Sequence, residues 1–478
     1  MKKFLKAFVA VVLVMVSAIA LVACKPGYRE TTNATTGVVS NGGSAIKYGG
    51  YLYFINGTNE NNGENNTAGT VTRGAIYRAK LNDQGDVYLD DNGNITQTEV
   101  VVSSLVGYKN GSISIFGDYL YFASPNAGQN SKGTILYNET CFYRYDLINK
   151  NLQRLYTTKL NDSSETVSYA YYKQGAKLFL MVYEKKAKTL TSIEINSNPV
   201  VKVIADDAEN VLFSEHNGEV QVSARNSVAE NFVYFTRAAL EEGGARTGVR
   251  VYKVLPDGTG ENLISEGKSV SLLAIRSDKL LYSYDSKIYL CSITNGAGSL
   301  QFETSNIVSH YSYDNVVFVE DDDSVAVLFF ESNNIRYVKL GENGEVPDFD
   351  NDSDSNNRIV YTFDGDDATI SFIATFTEKN DLDQDVYGVV YKKDNLLYRL
   401  IYKNLGTGEK VPKQLTTTTC DDANGNLVPE VVDGFIYFYN TASSKTSLYR
   451  ATLDAPASNA VDENGELISV KEATLIGA

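Results

Sequence analysis

The chain has 478 residues, with 43 Lys+Arg against 59 Asp+Glu, a formal net charge of −16, 33 Tyr, no Trp and only 2 His. Such acidity argues against a nucleic-acid partner, because phosphate binding needs clustered Lys and Arg. The two histidines, His216 in SEHNGE and His310 in SHYSYD, have no nucleophile motif beside them, so a Ser/His/Asp or Cys/His set is not expected.

The chain opens on MKKFLK, followed by the uncharged run AFVAVVLVMVSAIALVA. A basic segment ahead of an apolar one is the layout of a secretory signal, which we assign to residues 1–23. The run ends in Leu21, Val22, Ala23 and Cys24. LVAC resembles the bacterial lipobox, in which the cysteine is diacylated before the leader is removed. Each buried acyl methylene contributes roughly 0.8 kcal/mol, so acyl chains would hold the protein on a membrane without a spanning helix. The expectation is an acylated Cys24, a polar tether over 24–44, and residence on the extracytoplasmic face of a bacterial envelope. Loss of Lys2, Lys3 and Lys6 with the leader takes the net charge from −16 to −19.

Beyond the leader, short runs of Tyr, Phe, Val, Ile and Leu alternate with Asn-Gly, Asp-Gly and Asn/Asp/Ser turns, the pattern of antiparallel strands and hairpins. The first clear unit is GGYLYFING at 49–57, then AIYRAKL, then TEVVVSSLV. GDYLYFASP at 117–125, ENFVYFTR at 230–237 and DGFIYFYN at 433–440 repeat its aromatic strand; weaker copies lie at 176–184, 278–285, 324–332 and 384–392. A second strand follows each, including CFYRYDL, RVYKVLP, LLYRLIY and SLYRATL, with further apolar runs before and after.

Four strands per unit, recurring along the chain, predict an all-β fold: a β-propeller of four-stranded antiparallel blades over residues 45–478. Eight blades are expected, or seven if the weak third or sixth unit is no blade. Stacked blades bury both faces of each sheet, which explains why YLYFI and VAVLFF run apolar without strict alternation. The segment from Tyr77 aligns without a gap with the segment from Tyr449, and each reaches a turn glycine, Gly93 or Gly465, after 16 residues. First and last units are therefore matching blades that meet when the ring closes, with the strand around Ala45 to Lys47 as a potential cross-over latch.

Chemistry-bearing motifs are sparse. DFDNDSDSNN places Asp348, Asp350, Asp352 and Asp354 at alternate positions, a low-grade calcium candidate. The glycine and glutamate of a calcium-binding loop are missing, since Ser355 and Tyr361, or Ser353 and Ile359, occupy their places. A solvated acidic loop is the expectation there, as for DDDS at 321–324 and DLDQD at 381–385. NGTNENNGENNTAGT at 56–70 reads as a low-complexity insertion. Cys141, Cys291 and Cys420 are far apart and lack CxxC spacing, which suggests buried strand residues rather than a disulfide framework or zinc site. No phosphate-binding glycine motif is present, and no cofactor is expected.

Tyr53-Phe54, Tyr121-Phe122, Tyr234-Phe235 and Tyr437-Phe438, with Tyr77-Arg78, Tyr252-Lys253 and Tyr449-Arg450, carry a family resemblance. They resemble the YWTD-type blades of low-density-lipoprotein-receptor relatives, and more closely a bacterial propeller domain of unassigned function common in lipoproteins. The receptor blades carry tryptophan and usually number six, and this chain has no Trp. An eight-bladed lipoprotein of outer-membrane assembly is similar in address and blade count only. The resemblance implies a non-catalytic binding or scaffolding module, on the membrane through its anchor, for an envelope protein, peptide or glycan. The alternative is a propeller hydrolase or lyase acting on polysaccharide with carboxylates in its central funnel.

Overall fold

A computed structural model describes residues 43–477 except 59–72, 107–111, 126–127, 130–134, 137–138, 159–166, 175–176, 214–231, 277–278, 286, 293–305, 310–315, 322–323, 332, 341–356, 365–369, 380–381, 404–410, 422–428, 443–444 and 455–472. Cys24, His216, His310 and the quartet Asp348, Asp350, Asp352 and Asp354 lie outside the described residues.

Eight four-stranded antiparallel sheets follow one another along the chain as blades of a ring. Blade 1 comprises Ala45–Tyr48, Tyr51–Ile55, Ile76–Lys80 and Thr98–Val102; blade 2, Ile113–Phe116, Tyr119–Pro125, Thr140–Asp146 and Leu152–Thr157. Blade 3 comprises Val167–Gln174, Lys177–Glu184, Thr189–Glu194 and Val200–Ala205; blade 4, Asn210–Leu212, Val233–Leu240, Arg246–Val254 and Asn262–Lys268. Blade 5 comprises Ser271–Arg276, Lys279–Tyr284, Lys287–Ser292 and Asn306–Ser309; blade 6, Val316–Asp321, Ser324–Glu331, Asn334–Val338 and Asn357–Thr362. Blade 7 comprises Ile370–Lys379, Asp385–Lys393, Leu396–Lys403 and Lys413–Gln414; blade 8, Glu430–Val432, Phe435–Ala442, Lys445–Thr452 and Thr474–Gly477. Both weak units are blades, so the count is eight rather than seven. Ala238, Ala239 and Leu240 complete the strand Val233–Leu240 of blade 4.

First strands of neighbouring blades touch at the 1–2, 4–5, 6–7, 7–8 and 8–1 joints, which places them around the axis. Fourth strands form the rim, where Val200, Val201 and Val203 of blade 3 are each about half exposed. Strand Ala45–Tyr48 pairs with Tyr51–Ile55 of its own blade. No strand is exchanged to close the ring, so the expected cross-over latch is not used.

The core is a set of layers between blades. Leu178, Leu180 and Val182 of blade 3 pack on blade 2. Phe179, Met181 and Tyr183 of the same strand pack on blade 4. Period-two alternation thus persists within a continuous apolar run, because both faces meet protein. Within blade 7, Gly388 lies opposite Phe376 on the neighbouring strand, and a Cβ there would stand 2.1 Å from the Phe376 ring.

The repeated motif is a two-sided joint. On the face toward the preceding blade, second and third strands stack an aromatic pair: Phe54–Tyr77, Phe122–Tyr143, Phe235–Tyr252, Tyr282–Tyr289, Tyr391–Tyr398 and Phe438–Tyr449. Such pairs contribute about 0.5–1.5 kcal/mol beyond their buried area. The adjacent basic residue turns to the following blade and lies over a ring: Arg78 on Tyr51, Arg144 on Tyr119, Lys253 on Phe232 and Arg450 on Phe435. In blades 2 and 7 the arginine then reaches the next blade's turn between third and fourth strands. Arg144 donates to the Asn196 carbonyl at 3.3 Å, and Arg399 to that of Leu453 at 2.6 Å. Blade 3 does the same with a hydroxyl, Ser192 Oγ donating to the Pro256 carbonyl at 2.5 Å.

The turns so held are built by Asx side chains. Asn82 Oδ1 accepts from the amides of Gln84 and Asp86, and Asp90 Oδ1 from those of Asn92 and Asn94. The step from Tyr77 to Gly93 is therefore one strand followed by two successive turns. Gly93, at φ 78°, occupies the left-handed position of the second.

Candidate functional site

Ionisable groups gather where the first strands end, on the ring face that carries the turns between first and second strands. Lys47 of blade 1 lies 3.2 Å from Asp433 of blade 8, and at the start of the same two strands Glu430 accepts from the Ala45 amide at 3.3 Å. Arg276 of blade 5 pairs with Glu320 of blade 6 at 2.7 Å. Arg399 of blade 7 contacts Glu378 in the first strand of its own blade. Each of these carboxylates already holds a cation or an amide, and the pairs at Asp433, Glu430 and Glu320 cross between blades.

Asp321 is the most enclosed of this set. It is 3% exposed, takes the Tyr337 hydroxyl and Lys339 Nζ on Oδ2, the latter at 2.7 Å, and contacts Lys403 Nζ of blade 7 through Oδ1. The expectation that DDDS at 321–324 is solvated is corrected at its first residue. Asp321 still pairs with Ser324 as the last rung of the hairpin, so its side chain turns inward onto the blade 7 joint. Burial pushes the Lys403 ammonium below the usual lysine range and the Tyr402 phenol above its usual range. Tyr402 donates its hydroxyl to the Glu320 carbonyl at 2.8 Å. Sequence inspection passes over Asp321, Lys339 and Lys403, because they are far apart in the chain and converge only through blade stacking.

A cleft of about 190 Å³ lies at the ring-closing seam, lined by Phe54, Asn56, Tyr77, Ile95, Leu475 and Gly477 among others. Among the described residues its lining includes no carboxylate or ammonium. Beside it, Thr446 of blade 8 presents its carbonyl to Arg73 Nη1 at 2.6 Å and to the Thr58 amide at 3.0 Å. Gly57 sits at φ 67° between them, and a Cβ there would approach the Thr446 carbonyl oxygen to 2.7 Å. The seam thus demands glycine for both conformation and space.

Cys141, on a strand, and Cys420, outside the strands, are both buried, and neither is joined in a disulfide among the described residues. Among the described residues no group of three or more His, Cys, Asp or Glu is placed to hold a metal ion.

No protein-family model matches the chain, and no curated protein does. Among solved structures, a post-proline cleaving enzyme from Rickettsia typhi is similar with a TM-score of 0.40 at 10% identity, over 88% of this chain and 57% of that one. An oligogalacturonate lyase in complex with manganese gives 0.36 at 12%, over 91% and 96%. The β-propeller domain of the Trilobed protease from Pyrococcus furiosus gives 0.36 at 10%, over 74% and 93%. At such identities these are distant likenesses, and the eight-bladed β-propeller stands on this chain's own strand order.

Proposed function

We propose that the chain is a bacterial envelope lipoprotein, anchored through an acylated Cys24, whose propeller acts as a non-catalytic binding or scaffolding module for an envelope protein, peptide or glycan. The observation that carries the non-catalytic part is the pairing of ionisable groups at the ring face. Glu320, Asp321, Glu378 and Asp433 each meet a Lys or Arg, and all but Glu378 meet one from a neighbouring strand or blade that secures a joint. A carboxylate tied to a permanent cation is a poor general acid near neutral pH, because the cation favours its ionised form. The YWTD-like motif supports the same view, since its residues build joints and leave recognition to loops.

Cys24→Ala tests the anchor. The expected outcome is loss of the protein from the membrane fraction and of acyl label from the chain; unchanged fractionation would defeat the lipoprotein assignment. Turnover of polysaccharide by the purified protein, abolished by substitution of a ring-face carboxylate, would replace the binding module with a hydrolase or lyase.

A further inference from the structure

The path of the chain into the ring is fixed over three successive residues. The Gly43 carbonyl accepts from the Ile113 amide of blade 2 at 2.9 Å, in an isolated antiparallel bridge. The Ser44 carbonyl accepts from the Ile55 amide of blade 1 at 3.0 Å, and the Ala45 amide donates to Glu430 of blade 8 at 3.3 Å. Ser44 and Ala45 are buried. Ile113 and Glu430 each open the first strand of their blade, and the first strands of blades 8, 1 and 2 touch one another around the axis. These contacts lie at the end of the strands opposite the turns between first and second strands. The chain therefore arrives at the centre of the ring face that carries the turns between second and third strands.

We infer that this entry face lies against the membrane, and that the face with the turns between first and second strands points away from it. The orientation rests on the anchor proposed above. Cys24 precedes Gly43 by 19 residues. Fully extended, that length reaches at most about 65 Å. To seat the opposite face, the chain would run from the centre across four strands spaced about 4.8 Å apart, and then along a blade for about 26 Å. That detour takes up most of the reach and costs chain entropy, whereas the entry face needs no extension. Charge favours the same orientation. The entry face is mixed, with Lys185, Lys186 and Lys188 in one turn of blade 3, near Asp206, Asp207 and Glu209, the last holding Lys188 at 3.3 Å. On the opposite face, the two turns after the third strand of blade 1 carry Asp83, Asp86, Asp90 and Asp91, with no Lys or Arg from Leu81 to Gln97. An anionic lipid surface attracts the first and repels the second. The face left for an envelope ligand is the outward one.

Energy transfer from a dye on the protein to acceptor-labelled lipid headgroups tests the orientation. Blades 3 and 7 stand across the eight-bladed ring from each other, and the second strand of each runs from one face to the other. Lys177→Cys and Asp385→Cys mark the outward face; Lys185→Cys and Lys393→Cys mark the entry face. Each variant, extracted with its anchor, is seated in vesicles of phosphatidylethanolamine and phosphatidylglycerol, with wild type carried through the same labelling as the blank. Across a strand of about 26 Å, transfer should be roughly twofold or more stronger from positions 185 and 393 than from positions 177 and 385. Equal or reversed transfer in either blade, from protein that floats with the vesicles, overturns the orientation and leaves the anchor standing. Protein that does not float, with no acyl mass on the Cys24 peptide, removes the anchor and the orientation with it.

Discussion

The joints between blades 8 and 1 and between blades 6 and 7 perform one task with different chemistry. At the seam, Arg450 is 4% exposed, lies 4.3 Å from the Phe435 ring centroid, and reaches the Asp86 carboxylate in the turn after the third strand of blade 1. The Tyr439 hydroxyl adds a bond to the Ile55 carbonyl at 3.2 Å. This is the motif joint found elsewhere in the ring, used once more between the two ends of the chain. At the 6–7 joint, Arg358 of the rim strand lies over Tyr337 at 4.0 Å and donates to the Tyr402 carbonyl at 3.1 Å, while Asp321 and its lysines hold the inner side. An arginine over an aromatic ring of its own blade that grips the next blade is common to both, through the Asp86 carboxylate at the seam and the Tyr402 carbonyl at the 6–7 joint. What differs is where the acid sits: Asp86 is 37% exposed in a turn, and Asp321 is 4% exposed in the core.

That difference sets the order of expected losses. Asp321→Ala removes the buried carboxylate on which Lys339, Lys403 and the Tyr337 hydroxyl converge, and removing one partner of a buried ion pair costs about 3–5 kcal/mol. Chemical denaturation should show this as a lower midpoint. A loss below about 1 kcal/mol would mean that the cluster does not fasten the 6–7 joint. Arg450→Ala leaves Asp86 able to reach water, so its expected cost is about 1.5–3 kcal/mol, the range for hydrogen bonds to charged groups. If Arg450→Ala proved the more damaging, closure of the ring would be its weakest point, and the equivalence of the seam to the internal joints would fail.

The motif joint was legible in the sequence because its parts are local. Tyr437, Phe438, Tyr449 and Arg450 fall on two strands of one hairpin, and cross-strand register brings Phe438 opposite Tyr449 and Tyr437 opposite Arg450. Repetition made the pattern visible in most blades and predicted the ring. Its meaning was not visible: strand alternation sends the stacked pair to one neighbour and the arginine to the other. The weak third unit replaces the aromatic pair with Leu180 and Ile193, and the sixth reverses the Tyr-Arg order, which is why both looked doubtful. Nothing local marks Asp321, Lys339 and Lys403 as a set. Asp321 even lies in an acidic run that resembles solvated loop, and only the stacking of two blades gives it cations.

The seam also carries a pH signature. Burial pushes the Asp86 carboxyl up, but the Arg450 hydrogen bond and charge, the Val87 amide and Lys47 outweigh it, and the net shift is downward. An unfolded aspartate titrates at about 3.9, so the folded group protonates at lower pH than the unfolded one. Its contribution is then fully present above the unfolded value and is lost as pH falls through the folded value. Because Asp86 is more than a third exposed, solvent screening keeps this contribution small. Asp86→Asn should therefore lower stability by a small, constant amount at neutral pH, with the gap to wild type closing below about pH 4. Denaturation midpoints of the two proteins across that range measure it. A gap that widens in acid would mean that Asp86 is not held ionised by Arg450.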